Sequence, residues 1–361
     1  MEVKNYRYID ALRGVAIMMV MATHCQLFGT NNYSPAVKEL LNHGTLGVQL
    51  FFIISALTLC LSFEKRKQDE KRPILNFYIR RFFRIAPLFY LASIFYYFYF
   101  GSQDRLILGV SSPVNWGTIL STLTFTHGLR PEWINVLVPG GWSIATEMGF
   151  YVFFPLLFFA LKNLKITWLF AVLTAILFQV IYYFLIKLTP LGSSRTGLDY
   201  LNYFLPSQLS VFGVGFTVYQ LIKTKVSKIK LSASDVIFGQ LFLVAVFMQL
   251  ITKTIFPYQF IFAVLMGVGV YLLSLHPTKL VVNKSTVFIG KISFSLYISH
   301  FAVLKLMTTL NLVDFVNLPL LNFSIRYFLL FIISIIISSV TYRLVELPGM
   351  EVGKRVVKNL V

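Results

Sequence analysis

Apolar stretches close to 20 residues long recur along the whole chain and constrain its fold more than any other feature. A helix of about 20 apolar residues is long enough to cross the hydrocarbon core of a bilayer. The sequence therefore predicts an all-α integral membrane protein, a bundle of about ten transmembrane helices in a single membrane-embedded domain over residues 1–361. The predicted spans are residues 9–28, 44–63, 84–100, 142–161, 166–186, 203–222, 233–251, 256–274, 286–307 and 323–342.

Composition and charge agree with this class. Of the 361 residues, 57% are hydrophobic and only 13% are charged, against about 25% charged residues in soluble domains. In a soluble protein the net charge of +18 would suggest nucleic acid. Here we assign it to basic loops, so we expect the lipid bilayer as a partner and no nucleic acid. Cys25 and Cys60 both lie inside apolar stretches, and no disulfide framework is predicted.

The distribution of Lys and Arg predicts the orientation of the chain. Segment 64–84 is densely basic, and such loops stay in the cytoplasm. Alternation from this loop puts both termini in the cytoplasm and makes segment 101–141 an outer segment. Within it, the apolar stretch 116–125 is too short to span. We expect a short re-entrant or interfacial helix there, or a plain outer loop.

The first apolar stretch carries Asp10, Arg13 and His24. An Arg near the middle of a transmembrane helix costs roughly 2.5–3.5 kcal/mol on insertion scales, so it normally faces a protein-lined or wet cavity. Arg13 and His24 are eleven residues apart, which places both on one stripe of a helix, separated by about 16 Å. That arrangement suits a long anionic ligand whose reactive end lies deep. The plain alternative is that Arg13 reaches the membrane surface and His24 is a buried, hydrogen-bonded residue.

Several polar residues fall on the predicted outer side. A carboxylate beside an imidazole orients the ring and favours its charged form, so Glu147 next to His24 would support a general base. The alternative for Glu147 is an ion pair between helices. Ser143 could be a nucleophile, although a helix cap suits its position better. Trp142 could wall a sugar ring, and His127 could bind an acceptor or be a loop residue.

On the predicted inner side, Arg80, Arg81 and Arg84 stand together at the start of the third span. With Arg13 near the same surface, they could bind phosphates bidentately. The alternative is that they only fix the orientation of the chain.

Tyr297 and His300 are accessory candidates within the ninth span. The sequence contains no metal-ligand spacing, Walker loop, G-x-S-x-G elbow or dinucleotide fingerprint. We therefore expect no metal and no bound cofactor.

Six segments resemble, in order, the integral-membrane acyltransferase-three family: IDALRGVAIMMVMATH, GVQLFFIISALTL, RRFFRIAPLFYL, GGWSIATEMGFYVFFPLL, ISFSLYISH and TYRLVELP. Bacterial members of that family move acyl groups, usually acetyl, from cytoplasmic acyl-CoA to hydroxyls of surface polysaccharide, lipopolysaccharide or peptidoglycan. By this resemblance, Arg13 and His24 take the essential pair of the family and Glu147 takes its acid after the W-S motif. The basic residues at the start of a helix in that family correspond to Arg80, Arg81 and Arg84.

The chain departs from the family pattern at three positions. Ala56, Met148 and Leu347 stand where the family often has glycine, a second acid and arginine. These changes put the substrate class in doubt more than the reaction type. Some relatives carry an additional hydrolase-like domain at the C-terminus; we expect none here, so that the acceptor meets the membrane domain directly.

The resemblance implies a multi-pass protein of the bacterial cytoplasmic membrane that O-acylates a cell-envelope glycan. The donor substrate would be acetyl-CoA or another acyl-CoA. His24 would act as the general base or would accept the acyl group transiently. The rival interpretation is a transporter or exporter of a saccharide or lipid-linked saccharide, because intramembrane Arg, His and Glu also fit a substrate path. Transporters often show internal repeats, and none is visible in the sequence.

Overall fold

The computed structural model describes residues 6–30, 32–100, 113–224 and 257–360, together with Ile237 and Gln240. That part of the chain is helical and contains no strand, which confirms the predicted all-α class. Its helices are α1 (Arg7–Cys25), α2 (Pro35–Asn42), α3 (Gly47–Arg66), α4 (Pro73–Tyr99), α5 (Trp116–Leu123), α6 (Gly141–Ala160), α7 (Leu164–Leu188), α8 (Arg195–Tyr203), α9 (Leu205–Lys223), α10 (Tyr258–Leu275), α11 (Lys284–Lys291), α12 (Ser293–Thr309), α13 (Pro319–Thr341) and α14 (Leu347–Asn359).

The described helices give fewer spans than the predicted ten. Six helical segments are long and apolar enough to cross a membrane, and a seventh is added if a bent helix pair counts as one span. The six are Pro35–Arg66, Pro73–Tyr99, Gly141–Ala160, Leu164–Leu188, Tyr258–Leu275 and Pro319–Asn359. The predicted span 233–251 lies outside the described residues except for Ile237 and Gln240. The cytoplasmic position of both termini stays a prediction.

Helix α1 lies at the centre of the bundle and packs against α3, α11, α12 and α13. Its contact with α11 is unusually close because glycines lie on both sides of it. A Cβ at Gly14 would meet the backbone of Thr286, and a Cβ at Gly290 would meet the backbone of Asp10. Small residues allow helix backbones to approach in this way. The close contact fixes the stretch of α1 that carries Arg13.

The predicted ninth span is broken. Helices α11 and α12 meet at Ile292 with a bend of 76°. Irregular backbone at membrane depth is tolerated where protein buries it or where it lines a cavity. Ser293 and Phe294, the first residues of α12, line the central cavity of the protein. The bend therefore places the N-terminal end of α12 beside that cavity.

The predicted basic loop has more helix than the sequence indicated, and the short helix predicted in the outer segment is present as α5. Of the basic segment 64–84, only residues 67–72 connect α3 to α4. In the outer segment, residues 101–112 lie outside the described residues, and α5 forms over part of 116–125. The side chain of Asn115 accepts a hydrogen bond from the backbone of Thr118, whose hydroxyl accepts one in return. This capping box explains why so short a helix begins there. Its re-entrant character stays a prediction.

Aromatic packing holds α6 rigidly in the bundle. The ring of Phe150 stacks on that of Phe212 in α9, with centroids 3.8 Å apart and an angle of 7° between the ring planes. Phe212 in turn packs on Phe52 of α3, at 4.7 Å. Because Glu147 precedes Phe150 by three residues, it lies one turn away on the same side of α6. This contact holds the part of α6 that carries Glu147 against α9.

Candidate active site

A cavity of about 80 Å³ lies between α1, α3, α4, α6 and α12. Ser143, Glu147 and Tyr151 follow one another at intervals of four residues along α6, and all three line it. These positions share a helix face and cover about 12 Å. We call the two ends of the cavity the arginine end, formed by Arg13, Arg81 and Arg84, and the hydroxyl end, formed by Ser143 and Tyr297.

At the arginine end, Arg13 is held by two hydrogen bonds. Its Nη1 donates to Asp10 Oδ1 at 3.2 Å, and its Nη2 donates to Thr58 Oγ1 at 3.1 Å. The guanidinium is thereby presented to the cavity in a fixed orientation. The predicted role of Arg13 as a cation facing a cavity fits this position.

Arg81 and Arg84 are less well satisfied. Arg81 lies over the rings of Phe77 and Tyr151, each 5.8 Å from its guanidinium carbon. Its Nε is buried without a hydrogen-bond partner among the described residues. Arg84 lines the cavity and makes no hydrogen bond or ion pair of its own within the described part of the chain. Under-satisfied guanidinium groups of this kind attract an anion.

Arg80 does not belong to the cavity. Its Nη1 and Nη2 donate to Glu70 Oε1 and Oε2 at 2.8 and 2.9 Å, a bidentate ion pair. Arg80 is absent from the residues that line the cavity. The predicted basic cluster is therefore divided: α4 turns Arg81 and Arg84 towards the cavity, while Glu70 neutralises Arg80.

Glu147 lies between the two ends. Its Oε1 accepts hydrogen bonds from Ser55 Oγ at 2.5 Å and from Tyr151 Oη at 2.6 Å. Both donors contact the same oxygen, so Oε2 is left without a hydrogen bond from the described residues and can accept one from a ligand.

The hydroxyl end is closed by a short hydrogen-bonded chain. Ser143 Oγ donates to Tyr297 Oη at 2.7 Å, and Tyr297 Oη donates to the carbonyl oxygen of Gly140 at 2.9 Å. Gly140 has φ +74°, and a Cβ there would lie 2.8 Å from Tyr297 Oη. Glycine is required at this position both for the backbone conformation and for space.

The predicted cap at Ser143 is wrong. Gly140 is the residue that precedes the first turn of α6, and no side chain caps that turn. The hydroxyl of Ser143 is hydrogen-bonded to Tyr297 instead. Among the described residues no histidine or carboxylate contacts this hydroxyl, so the structure provides no base for Ser143 as a nucleophile.

His24 pairs with His300, and Glu147 is not its partner. His24 Nδ1 lies 2.9 Å from His300 Nε2, and the ring of Phe301 packs against it at 4.4 Å. His24 faces α12, whereas Glu147 on α6 is hydrogen-bonded to α3 and to its own helix. The predicted pairing is therefore wrong. His24 is not among the residues that line the cavity. Tyr297 does line it, and its ring centroid lies 5.9 Å from that of His300, one turn later in α12.

The other two outer candidates are packed in place. His127 Nε2 lies 3.0 Å from the carbonyl oxygen of Gly141, and the ring stacks on Phe89 at 5.6 Å. Its burial lowers the pKa of His127 from the ordinary value. Trp142 stacks on Tyr203 at 4.2 Å, so that one face of its indole is already covered.

Sequence reasoning missed several residues of the site. Ser55, Thr58, Tyr151 and Ser293 all line the cavity, and hydroxyls inside apolar stretches were the only available signal. Glu346, in the TYRLVELP segment, is also buried and accepts a hydrogen bond from Ser295 Oγ at 2.9 Å. In the part of the chain that the structure describes, no group of three or more His, Cys, Asp or Glu side chains could hold a metal ion.

Comparison with known proteins decides the family. The family model of the acyltransferase domain, Acyl_transf_3, matches residues 6–343. The chain belongs to the acyltransferase-three family. No solved structure matches it.

Relatives of this chain occur in bacteria and in a virus. "Putative O-acetyltransferase SACOL0978" of Staphylococcus aureus (strain COL) is 26% identical over 97% of this chain and 58% of its own length. The chain thus spans less than two thirds of that relative. "Putative acetyltransferase ORF330" of Acidianus two-tailed virus is 27% identical over 84% of this chain and 85% of its own length. "Acyltransferase MdmB" of Streptomyces mycarofaciens is 25% identical over 44% of this chain and 40% of its own length.

Five of the six sequence segments that resemble the family supply residues of this site. They supply Arg13 and His24 from α1, Ser55 from α3, Glu147 from α6 and His300 from α12. The basic segment supplies Arg81 and Arg84. These five segments therefore converge on the cavity and on the histidine pair beside it, whereas Glu346 of the last segment is hydrogen-bonded to Ser295 outside the cavity lining.

Proposed function

We propose that this membrane protein is an O-acyltransferase of the bacterial cytoplasmic membrane. It transfers an acyl group, in the simplest case acetyl, from cytoplasmic acyl-CoA to a hydroxyl of a cell-envelope glycan. The family and the O-acetyltransferase names of its relatives support acyl transfer. The donor and the acceptor are our inference from the chemistry of the cavity and from the family resemblance.

The observation that carries the proposal is the arginine end of the cavity. Arg84 makes no hydrogen bond or ion pair in the described part of the chain, although the carboxylate of Glu346 interacts with it electrostatically. Arg81 keeps a buried Nε without a hydrogen-bond partner. Such groups are stabilised by an anion that accepts several hydrogen bonds. The phosphates of CoA have this chemistry, and Arg binds them better than Lys because its donors are planar and fixed.

The start of α12 adds to the same site. Ser293 and Phe294 line the cavity at the bend, and backbone N–H groups in the first turn of a helix have no partner within that helix. The partial positive charge of a helix N-terminus favours a bound anion. It supplements the arginines.

The middle of the cavity suits the pantetheine arm of the donor. With its phosphates at the arginine end, the arm would pass Glu147, whose Oε2 is available to accept a hydrogen bond from an amide N–H. The thioester would then approach the hydroxyl end, close to Tyr297 and to the histidine pair behind it. In this arrangement Glu147 binds the donor and does not orient His24.

The transfer step needs a base for the acceptor hydroxyl. Nε2 of His24 takes the hydroxyl proton while the hydroxyl oxygen attacks the thioester carbonyl carbon. The carbon–sulfur bond then breaks, and the CoA thiolate leaves with the proton that His24 returns. General base catalysis of this kind contributes about 10²–10⁴-fold to a rate.

A transfer assay tests the proposal. Purified protein in lipid nanodiscs is mixed with radiolabelled acetyl-CoA and envelope glycans, and we expect label to appear on the glycan. Acetyl-pantetheine, which lacks the nucleotide phosphates, should be a much poorer donor. Equal use of both donors would contradict the phosphate site. Absence of transfer together with absence of acetyl-CoA binding would overturn the proposed function.

One variant at Glu147 and one control variant elsewhere test the role assigned to Glu147. Glu147→Gln keeps the shape but removes the charge, and Oε2 is replaced by a donor that cannot accept from an amide. We expect weaker acetyl-CoA binding, with the shift measured by calorimetry. Thr118→Val, at a buried hydroxyl in α5 away from the cavity, should leave the affinity unchanged. Unaltered affinity in Glu147→Gln would remove Glu147 from the donor site.

A further inference from the structure

The histidine pair beside the cavity has a geometry that fixes which atoms carry protons. The rings of His24 and His300 are nearly parallel, at 16°, with centroids 5.1 Å apart. Their facing nitrogens are only 2.9 Å apart, much closer than the ring centres. The rings therefore meet edge to edge, and Nδ1 of His24 and Nε2 of His300 share one hydrogen bond near the ring planes.

The second nitrogen of His300 decides the direction of that hydrogen bond. His300 Nδ1 lies 3.2 Å from the carbonyl oxygen of Leu296, one turn earlier in α12. A carbonyl oxygen can only accept, so Nδ1 of His300 is the donor. In a neutral imidazole one nitrogen donates and the other accepts. Nε2 of His300 is then the acceptor, and the proton between the rings belongs to Nδ1 of His24.

The consequence falls on the other side of the His24 ring. With Nδ1 protonated, neutral His24 has its lone pair on Nε2, and no described group forms a hydrogen bond with that atom. We propose that His300 is a positioning residue for acyl transfer: it holds the proton of His24 on Nδ1 and leaves Nε2 as the base for the acceptor hydroxyl. This inference rests on the proposed function.

The surroundings of His300 suit this role. Its side chain is completely buried and is tied to the backbone of its own helix through Leu296. The ring of Phe301 packs against both imidazoles, at 4.3 Å from His300 and 4.4 Å from His24. The hydrogen bond made by one ring nitrogen sets the state of the other. The hydrogen bond to Leu296 thus determines, through the two rings, that Nε2 of His24 is unprotonated.

Nitrogen NMR tests the inference without any turnover. The protein contains five histidines, and their ring nitrogens can be labelled with ¹⁵N and read in nanodiscs without donor or acceptor. The His24 signals are identified by their loss in His24→Gln. At a pH where His24 is neutral, we expect a protonated Nδ1 and an unprotonated Nε2. In His300→Phe, which fills the same space without an acceptor, both tautomers of His24 should be present.

A second histidine-to-phenylalanine substitution controls for the loss of a buried imidazole as such. His127→Phe replaces another buried histidine, one that lies against Phe89 and Gly141. It should leave the His24 signals where they are in the wild-type protein. His300→Gln keeps a carbonyl that can accept from Nδ1 of His24, and it should restore the wild-type tautomer. A proton on Nε2 of His24 in the wild-type protein, or the same tautomer in His300→Phe, would overturn the proposal.

Kinetics then link the tautomer to transfer. His300→Phe should lower kcat severalfold, because only the molecules in which His24 keeps its proton on Nδ1 retain the general base on Nε2, with the KM for acetyl-CoA unchanged. His300→Gln should recover much of the loss. Equal activity losses in both variants, with unchanged NMR signals, would mean that His300 only packs. If the wild-type protein transfers no acetyl group, the proposed function fails, whereas the NMR result still decides the proton positions.

Discussion

Arg80 and Glu70 form a bidentate ion pair, with N–O distances of 2.8 and 2.9 Å, which separates Arg80 from Arg84 four residues later on α4. Arg84 instead faces the cavity and makes no hydrogen bond or ion pair in the described part of the chain. Two arginines of the same helix thus have different roles, although a spacing of four residues suggests a shared one. This difference provides a matched pair of variants for the donor site.

Arg84→Ala should weaken acetyl-CoA binding by about tenfold or more, because a hydrogen bond to a charged group contributes about 1.5–3 kcal/mol. Arg80→Ala should leave the affinity close to that of the wild-type protein and should lower thermal stability instead, since it leaves Glu70 without its ion-pair partner. Calorimetric titration of both variants in nanodiscs measures the difference. Equal losses of affinity would show that the whole segment acts through its net charge.

The orientation of the chain can be tested by cysteine labelling. The basic segment 64–84 predicts that Lys67 is cytoplasmic, whereas Asn115, at the start of α5, belongs to the predicted outer segment. Cys25 and Cys60 are both buried, and replacing them with alanine gives a background for single cysteines. We expect an impermeant maleimide added to intact cells to label Asn115→Cys and not Lys67→Cys. Equal labelling of both from outside would overturn the topology and the inward-facing donor site.

The hydroxyl end of the cavity makes a prediction about stability. Gly140→Ala forces a side chain into a backbone with φ +74° and places its Cβ against Tyr297. Strain of this kind costs about 1–3 kcal/mol, so the Tm should fall. Gly269→Ala is the control, because a Cβ there meets nothing within 4 Å in the interior of α10. It should keep or raise the Tm, since alanine favours a helix by about 0.5–1 kcal/mol. A similar fall in both variants would contradict this account.

Asp314, in the loop between α12 and α13, makes stability depend on pH. Its Oδ1 accepts hydrogen bonds from the backbone N–H of Thr30 at 2.8 Å and from Asn322 Nδ2 at 2.7 Å. The bond from Thr30, with help from Asn322 and Arg326, lowers the pKa of Asp314 below its ordinary value of 3.8. A carboxylate whose pKa is lower in the folded protein stabilises it above the unfolded pKa. That stabilisation is lost as the pH falls through the folded value.

Asp314→Asn should therefore have a lower Tm than the wild-type protein at neutral pH. The difference in Tm should narrow as the pH falls below 3.8 and close once the pH passes the lower pKa of the folded protein, where the wild-type carboxylate is protonated as well. Thermal unfolding measured across this range checks the sign. A Tm difference that stays constant with pH would mean that Asp314→Asn destabilises the protein for a reason other than the loss of charge.

The sequence predicts those features of the molecule that depend on a short stretch of residues, and it fails for those that depend on packing between distant stretches. Apolar length is local, so most helices appear close to their predicted positions, as α7 does for 166–186. A charge within an apolar stretch is local as well, and Arg13 faces a cavity as its cost in lipid requires. The bend at Ile292 is different. No proline marks it, and it arises where α11 packs against α1 through Gly290.

Partners between helices could not be predicted from spacing alone. His24 lies in the second half of its apolar stretch, and Glu147 lies in the first turns of another. Both positions are on the predicted outer side, which suggests that the two side chains meet. Which helix faces which is set by packing across the whole bundle, and α12 lies against His24 where α6 was expected. For the same reason Ser55 and Tyr151, the hydrogen-bond partners of Glu147, were missed.

His24 carries the proposed chemistry more than any other residue, and two substitutions separate its possible roles. His24→Ala should abolish transfer while the protein remains inserted and able to bind acetyl-CoA at the arginine end. His24→Gln keeps a side chain that can hydrogen-bond His300 but cannot take up a proton near neutral pH. If His24 is the base, the Gln variant should remain folded and still lose about 10²–10⁴-fold in rate.

A purely structural His24 gives the opposite pattern. The contact between His24 Nδ1 and His300 Nε2 would then be what matters, and Gln, which can donate to His300, would stay largely active. Ala would fail through a lower Tm, because it leaves a space beside Phe301 and removes the donor to His300. Transfer rate and Tm measured on both variants distinguish these cases. Near-native transfer by His24→Gln would remove His24 from the chemistry, and with it the role proposed for His300.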